Sequence, residues 1–287
     1  MMEEIQSVMQ GKTALPLNDR QRLIFTGSDR ARYLNGQTTN DVTKLTPGHA
    51  LHAAVCNAKG KMHGEIIVAN DGERLLVDLP VCLSESLPLR LEKYIIADDV
   101  EIQEPEAVAM GYHMIGEVAP ELPEGAECYV SSRYQQPGFD IWLPDSITTD
   151  FPVATEAATE WIRIQSGIPK WDTDISENNM PPEAYPEMQT ISYRKGCYIG
   201  QEVIAKIKSI GQVKKKLCLL QGSLSVETLP AELTLDGRKV GQLTSVQQQP
   251  DADGLYHALG MVQTNHSEPE TEFEVSGQSW KILRTCN

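Results

Sequence analysis

The octamer Lys195-Gly196-Cys197-Tyr198-Ile199-Gly200-Gln201-Glu202 sets a thiol two residues after a cation and flanks it with glycines, with a carboxylate close behind. In extended backbone Lys195 lies on the same side as Cys197, and a helix expected from Gly200 adds partial positive charge; both favour the thiolate. Such a thiolate can ligate iron transiently, attack an electrophile or form a mixed disulfide. The competing role of a cysteine taken singly is that of a small buried hydrophobe. Around the octamer, Arg194, Lys195, Lys206, Lys208 and Lys214 to Lys216 face a single acid, Glu202. This basic run is either a solvated lysine face or an anion site.

The whole chain has the opposite sign. Its formal charge is -15, from 25 basic and 40 acidic residues, which argues against broad contact with nucleic acid or an anionic membrane. At 287 residues, two or three domains are expected. The six cysteines show no C-x-x-C pair and no zinc-like spacing with histidine, as expected for reduced thiols in a cytoplasmic protein. Cys56, Cys82, Cys128 and Cys218 fall in apolar segments, where core packing is expected. No set of cysteines suits a resident iron–sulfur cluster, and no bound metal is expected. The amino terminus lacks the features of a signal or transit peptide, and no apolar stretch approaches a membrane span.

Periodicity supplies the elements that must position these groups. A short strand at 23–27 leads into a helix from Ser28, with Gly36 expected just past its end. The polar segment that follows contains Asn40 and Asp41, which can cap backbone or line a pocket. Three strands at 51–55, 65–68 and 74–79 form a meander, and leucines at 83, 87 and 91 with Ile95 predict a helix upon it. Residues 104–153 form a second α+β lobe with strands at 108–115 and 139–143. A helix over 155–166 ends at Gly167, and a long connector over 167–189 is expected to be ordered by its aromatic rings and prolines. A short helix over 200–208 follows, then strand-like runs from 212 onward that make a small barrel or sandwich.

Taken together, several stretches resemble the YgfZ-type folate-binding proteins, relatives of the aminomethyltransferase (T-protein) of the glycine cleavage system. They are Tyr33 to Val42, Lys59-Gly60-Lys61, Arg163-Ile164-Gln165-Ser166-Gly167-Ile168-Pro169, Pro182-Glu183-Ala184, and above all the octamer with Gly211. The resemblance implies two interleaved ferredoxin-like α+β lobes and a C-terminal small β-barrel, a three-domain ring around a central folate cavity. It divides the chain into 1–103 with 154–211, then 104–153, then 212–287. It further implies a tetrahydrofolate-binding protein that supports assembly or repair of iron–sulfur clusters in client enzymes, a tRNA-methylthiolating enzyme among them.

Under that resemblance the residues can be matched to the ligand. A pterin's neighbouring N–H donors suit a buried carboxylate, for which Glu183 is the candidate. Its alternative is to cap a backbone amide. Trp171, Tyr185 and Tyr198 are candidate aromatic walls, and Arg194, with Lys206 and Lys208, would meet the glutamate tail. Cys197 with Lys195 would be the chemically active pair. The T-proteins carry adjacent aspartates where this chain has Gly64-Glu65, which speaks against aminomethyl transfer, the second function considered. A third is a scaffold whose basic segment docks an acidic partner.

Overall fold

The computed structural model describes residues 1–104, 109–148 and 150–287. In chain order the elements are α1 (Met2–Met9), β1 (Leu15–Pro16), β2 (Arg20–Thr26), α2 (Arg30–Gln37), β3 (Ala50–Cys56), β4 (Met62–Asn70), β5 (Leu75–Pro80), α3 (Ser86–Glu92), β6 (Glu101–Gln103), β7 (Ala109–Ile115), β8 (Glu127–Ser131) and β9 (Gly138–Pro144). They continue as α4 (Glu156–Ser166), α5 (Pro181–Ala184), α6 (Glu187–Thr190), α7 (Gln201–Ile210), β10 (Lys215–Gly222), β11 (Ala231–Leu235), β12 (Arg238–Val246), β13 (Tyr256–Gln263), β14 (Glu272–Val275) and β15 (Gln278–Thr285).

The first lobe is an antiparallel sheet in the order β3-β4-β5-β2-β6. Side chains alternate across a strand, and here the two faces differ in chemistry. Leu23, Phe25, Ile66, Val68, Leu75 and Val77 join Leu83, Leu87 and Leu91 in the main core. Arg20, Arg22, His52, Glu65 and Asp78 occupy the alternate positions, beside Ile24, Ala69 and Leu76, which pack on Tyr129 and Trp142 of the second lobe. That face is polar yet covered.

The second lobe is the sheet β1-β7-β9-β8. One cluster on it joins Ile5 and Val8 of α1 to Ala158 and Ile162 of α4, so segments distant in sequence interleave there. The barrel closes in the order β10-β13-β12-β11-β14-β15 around Trp280, Leu220 and Leu243. A Cβ on Gly222 would lie 2.4 Å from the Trp280 ring, so that strand can approach the ring only as glycine. Leu217, Leu219, Leu259 and Met261 carry the first lobe's core into the barrel.

The α+β fold with its closed terminal barrel is the one expected, with local differences. Gly36 lies inside α2, whose N-cap is Asp29 rather than Ser28. Strands β1 and β8 were not anticipated, and Val108, where one strand was expected to begin, lies outside the described residues. The 167–189 connector is ordered and contains α5 and the start of α6. Cys82 is exposed and Cys128 half-buried, whereas the sequence placed both in a core; Cys82 falls in the 3-10 turn Val81–Leu83 that leaves β5 at the molecular surface. Among the described residues no helix is long and apolar enough to cross a membrane.

Candidate functional site

A cavity of about 270 Å³ opens where the polar face of the first sheet meets the second lobe and the connector. Arg20, His52 and Glu65 line it from β2, β3 and β4, Arg133 and Tyr134 from the second lobe, and Trp171 and Tyr185 from the connector. Cys82 stands in its lining with Asp172 and Lys170. The connector is held in place by Asp174, which accepts from Lys170 N at 2.9 Å, Arg163 Nη1 at 2.8 Å, Thr244 Oγ1 at 2.5 Å and Ser245 Oγ at 2.7 Å. One carboxylate thus ties α4, the connector and β12 together.

The cavity's buried charges are already matched. Arg20 bridges Glu65 and Asp78, reaching Asp78 Oδ1 through Nε at 2.5 Å. Arg133 then joins Asp78 to Asp140, 2.9 Å away, and His113 lies 2.7 Å beyond on Asp140. His52 Nε2 is 3.1 Å from Glu65. Burial works against the Glu65 carboxylate, but Arg20 and His52 override it and hold the group well below the usual carboxylate range. Tyr185 is the exception to this matching. It is 2% exposed, its ring stands edge-on to His52 at 4.6 Å, and its buried hydroxyl has no partner.

Of the residues singled out from sequence, Trp171 and Tyr185 line the cavity. Glu183 does not. Its Oε2 accepts from Asn179 Nδ2 at 3.0 Å and Met180 N at 3.2 Å, the amide-capping arrangement, and burial pushes its carboxyl up. Asn40, Asp41, Arg194, Lys195, Cys197 and Tyr198 also lie outside the cavity lining. Arg194 and Cys197 are exposed, while Tyr198 is buried. Asp41 accepts from Thr43 Oγ1 at 2.6 Å and pairs with Lys44 at 2.8 Å. Lys206 is exposed, and Lys208 pairs with Glu187 at 2.6 Å.

The octamer and the 35–41 segment instead meet each other. Lys195 Nζ donates to the carbonyls of Asn35, Thr38 and Asn40 at 2.5, 2.7 and 2.6 Å. Burial pushes this ammonium down to about 7, with Asp41 opposing. Asn40 Nδ2 donates in turn to the backbone oxygen of His52 at 2.9 Å, so the pair sits directly behind the cavity wall. Arg20, His52, Asp78 and Arg133 escaped the sequence analysis. The signal for the strand residues was a charged side chain set in an otherwise apolar strand, as Asp78 is in Leu75-Leu76-Val77-Asp78-Leu79. Among the described residues no cluster of His, Cys, Asp or Glu could hold a metal ion.

No family model matches the chain. It is 28% identical to the tRNA-modifying protein YgfZ of Escherichia coli O7:K1 (strain IAI39), covering 92% of this chain and 89% of that one. Against the tRNA-modifying protein YgfZ of Klebsiella pneumoniae (strain 342) the identity is 29%, covering 92% and 88%. In structure it is similar to the glycine cleavage system aminomethyltransferase T from Bartonella henselae, with a TM-score of 0.78 at 15% identity over 98% of this chain and 88% of that one, a likeness of fold. The resemblance drawn from separate motifs therefore extends along almost the whole chain.

Proposed function

We propose that this chain is a YgfZ-type protein that binds tetrahydrofolate in the inter-lobe cavity and supports assembly or repair of iron–sulfur clusters in client enzymes, tRNA-methylthiolating enzymes included. Tyr185 carries the ligand part of this reading. A buried hydroxyl without a partner costs about 1–3 kcal/mol, and this one is carried by a residue that lines the cavity together with a second aromatic ring, Trp171. A planar heterocycle that accepts from Tyr185 recovers that cost. Trp171 and Tyr185 would hold the ring, beside the Arg20–Glu65–His52 network of the sheet wall. The bound cofactor would supply a carrier of one-carbon units. Glu183, Asn40 and Asp41 support the loops around the site, and Cys197 is the reactive thiol, presented at the surface where a macromolecular client can reach it. The client class follows the tRNA-modifying role in the relatives' names.

Aminomethyl transfer is the weaker reading. Glu65, the carboxylate at the position the T-proteins fill with an aspartate, is bound by Arg20 and His52 rather than free to meet a folate amine. Calorimetric titration of tetrahydrofolate into wild type, Tyr185→Phe and Glu183→Ala tests the proposal. Heat from the wild type, with affinity lowered up to about tenfold in Tyr185→Phe as one hydrogen bond is lost, is the expected result. A wild type that gives no heat would end the folate reading. Equal affinity in Glu183→Ala would leave Glu183 as a loop cap.

A further inference from the structure

We propose that Lys195 is a positioning residue that pins the loop bearing Cys197 onto the back of the cavity wall, rather than the cation that activates the thiol. The proposal builds on Cys197 as the reactive group. An ammonium has three N–H donors and no acceptor. Here three carbonyl oxygens, from Asn35, Thr38 and Asn40, lie at 2.5, 2.7 and 2.6 Å, so every donor is committed. None remains for a thiolate. Lys195 is 8% exposed whereas Cys197 faces solvent, so the two side chains part although they are two residues apart.

The attachment is broader than one side chain. Ser192 N donates to Thr39 O at 3.0 Å and Ile199 N to Gly36 O at 3.3 Å, on either side of the clamp. The Tyr198 ring lies 5.1 Å from Nζ and adds a cation–π contact in a buried setting. Between these fixed points Gly196 has open space around it.

The floor of the cage is itself fixed. Asn40 Nδ2 donates to His52 O at 2.9 Å and Gln189 O at 2.8 Å, and Thr39 Oγ1 donates to Thr190 O at 2.6 Å. Thr39 N reaches Ala54 O on β3 at 2.9 Å. The thiol loop is thereby referenced to the strand whose His52 side chain lines the cavity. Charge-assisted bonds of this kind are the stronger ones. Their convergence on a single nitrogen selects lysine, because a planar guanidinium spreads its donors over three nitrogens.

Two readouts on Lys195→Met test the assignment. Amide hydrogen exchange is followed near pH 6, roughly a unit below the titration of the ammonium. Exchange at Ile199 is expected to rise about tenfold or more as the clamp opens locally, with β10 amides unchanged. Peptide-resolved iodoacetamide labelling across pH is expected to leave the Cys197 midpoint within about 0.3 of wild type. Unchanged exchange at Ile199, or a midpoint raised by about one unit through loss of a neighbouring positive charge, would overturn the proposal. If the methionine variant does not fold, Lys195→Arg keeps the charge but not the geometry, and exchange identical to wild type in that variant would also overturn it. A Cys197 that labels like an ordinary thiol would remove the reactive-thiol reading while leaving the exchange test intact.

Discussion

Replacing Arg133 by methionine removes the cation shared by two buried carboxylates. The Arg133, Asp78 and Asp140 side chains are 7, 4 and 3% exposed, so water cannot take over. Asp78 keeps Arg20 at 2.5 Å. Among the described residues Asp140 keeps only His113, and removing one partner of a buried ion pair costs about 3–5 kcal/mol. With an unfolding entropy of about 2.1 cal/mol/K per residue at the midpoint, a chain of 287 residues should lose roughly 5–8 °C in thermal midpoint.

The loss must also depend on pH. Burial raises the Asp140 carboxyl, but Arg133 and His113 override it and hold the group well below its usual range. Stability from a depressed carboxylate is present above its unfolded value of about 3.9 and is lost as pH falls through the folded value. Without Arg133 the buried carboxylate protonates earlier and its charge stops costing. The deficit of Arg133→Met is therefore largest near neutral pH and shrinks toward about pH 4. Thermal and urea melts of wild type and variant across that range measure it. A deficit under about 1 kcal/mol at neutral pH, which is the scale of an exposed pair, or one that stays constant on acidification, would refute the reasoning.

Two other outcomes follow from buried groups. Asp174→Ala strips the shared acceptor from Arg163, Thr244 and Ser245, at a cost of about 3 kcal/mol or more; limited proteolysis should then cut the 167–189 connector faster than in wild type. In peptide-resolved alkylation of the native protein, Cys82 and Cys197 should label, while Cys56 and Cys286, buried with thiols pushed up to about 12 by burial, should stay silent until denaturant is added.

Much of the fold was legible because its signals are local. Gly167 ends α4 at φ 72°, as its residue type predicted, and Thr155, expected as the first helical residue, caps the helix by accepting from Ala158 N at 3.3 Å. Asp236-Gly237 and Ser276-Gly277 turn two barrel hairpins with both residues at positive φ, which their chemistry permits. The strand β1 was missed because it is two residues long and gains its pairing from β7, about a hundred positions away. Short elements of this kind owe their existence to a partner.

The candidate site divides the same way. The sequence determined which residue types are available for chemistry: the thiol at Cys197, the cation beside it, the aromatic rings of the connector, and a carboxylate at Glu183. Only the tertiary structure decided what each of them meets. Lys195 and Cys197 are neighbours in the chain, yet the ammonium turns to carbonyls at Asn35, Thr38 and Asn40 because a buried charge must find every acceptor it can. Glu183 turns to its own loop's amide, and Glu65, set in an apolar strand, becomes a carboxylate of the cavity wall. The ring at Tyr185 was readable; that it lines the inter-lobe cavity while its buried hydroxyl has no partner depends on strand register and lobe packing, which no local run of residues specifies.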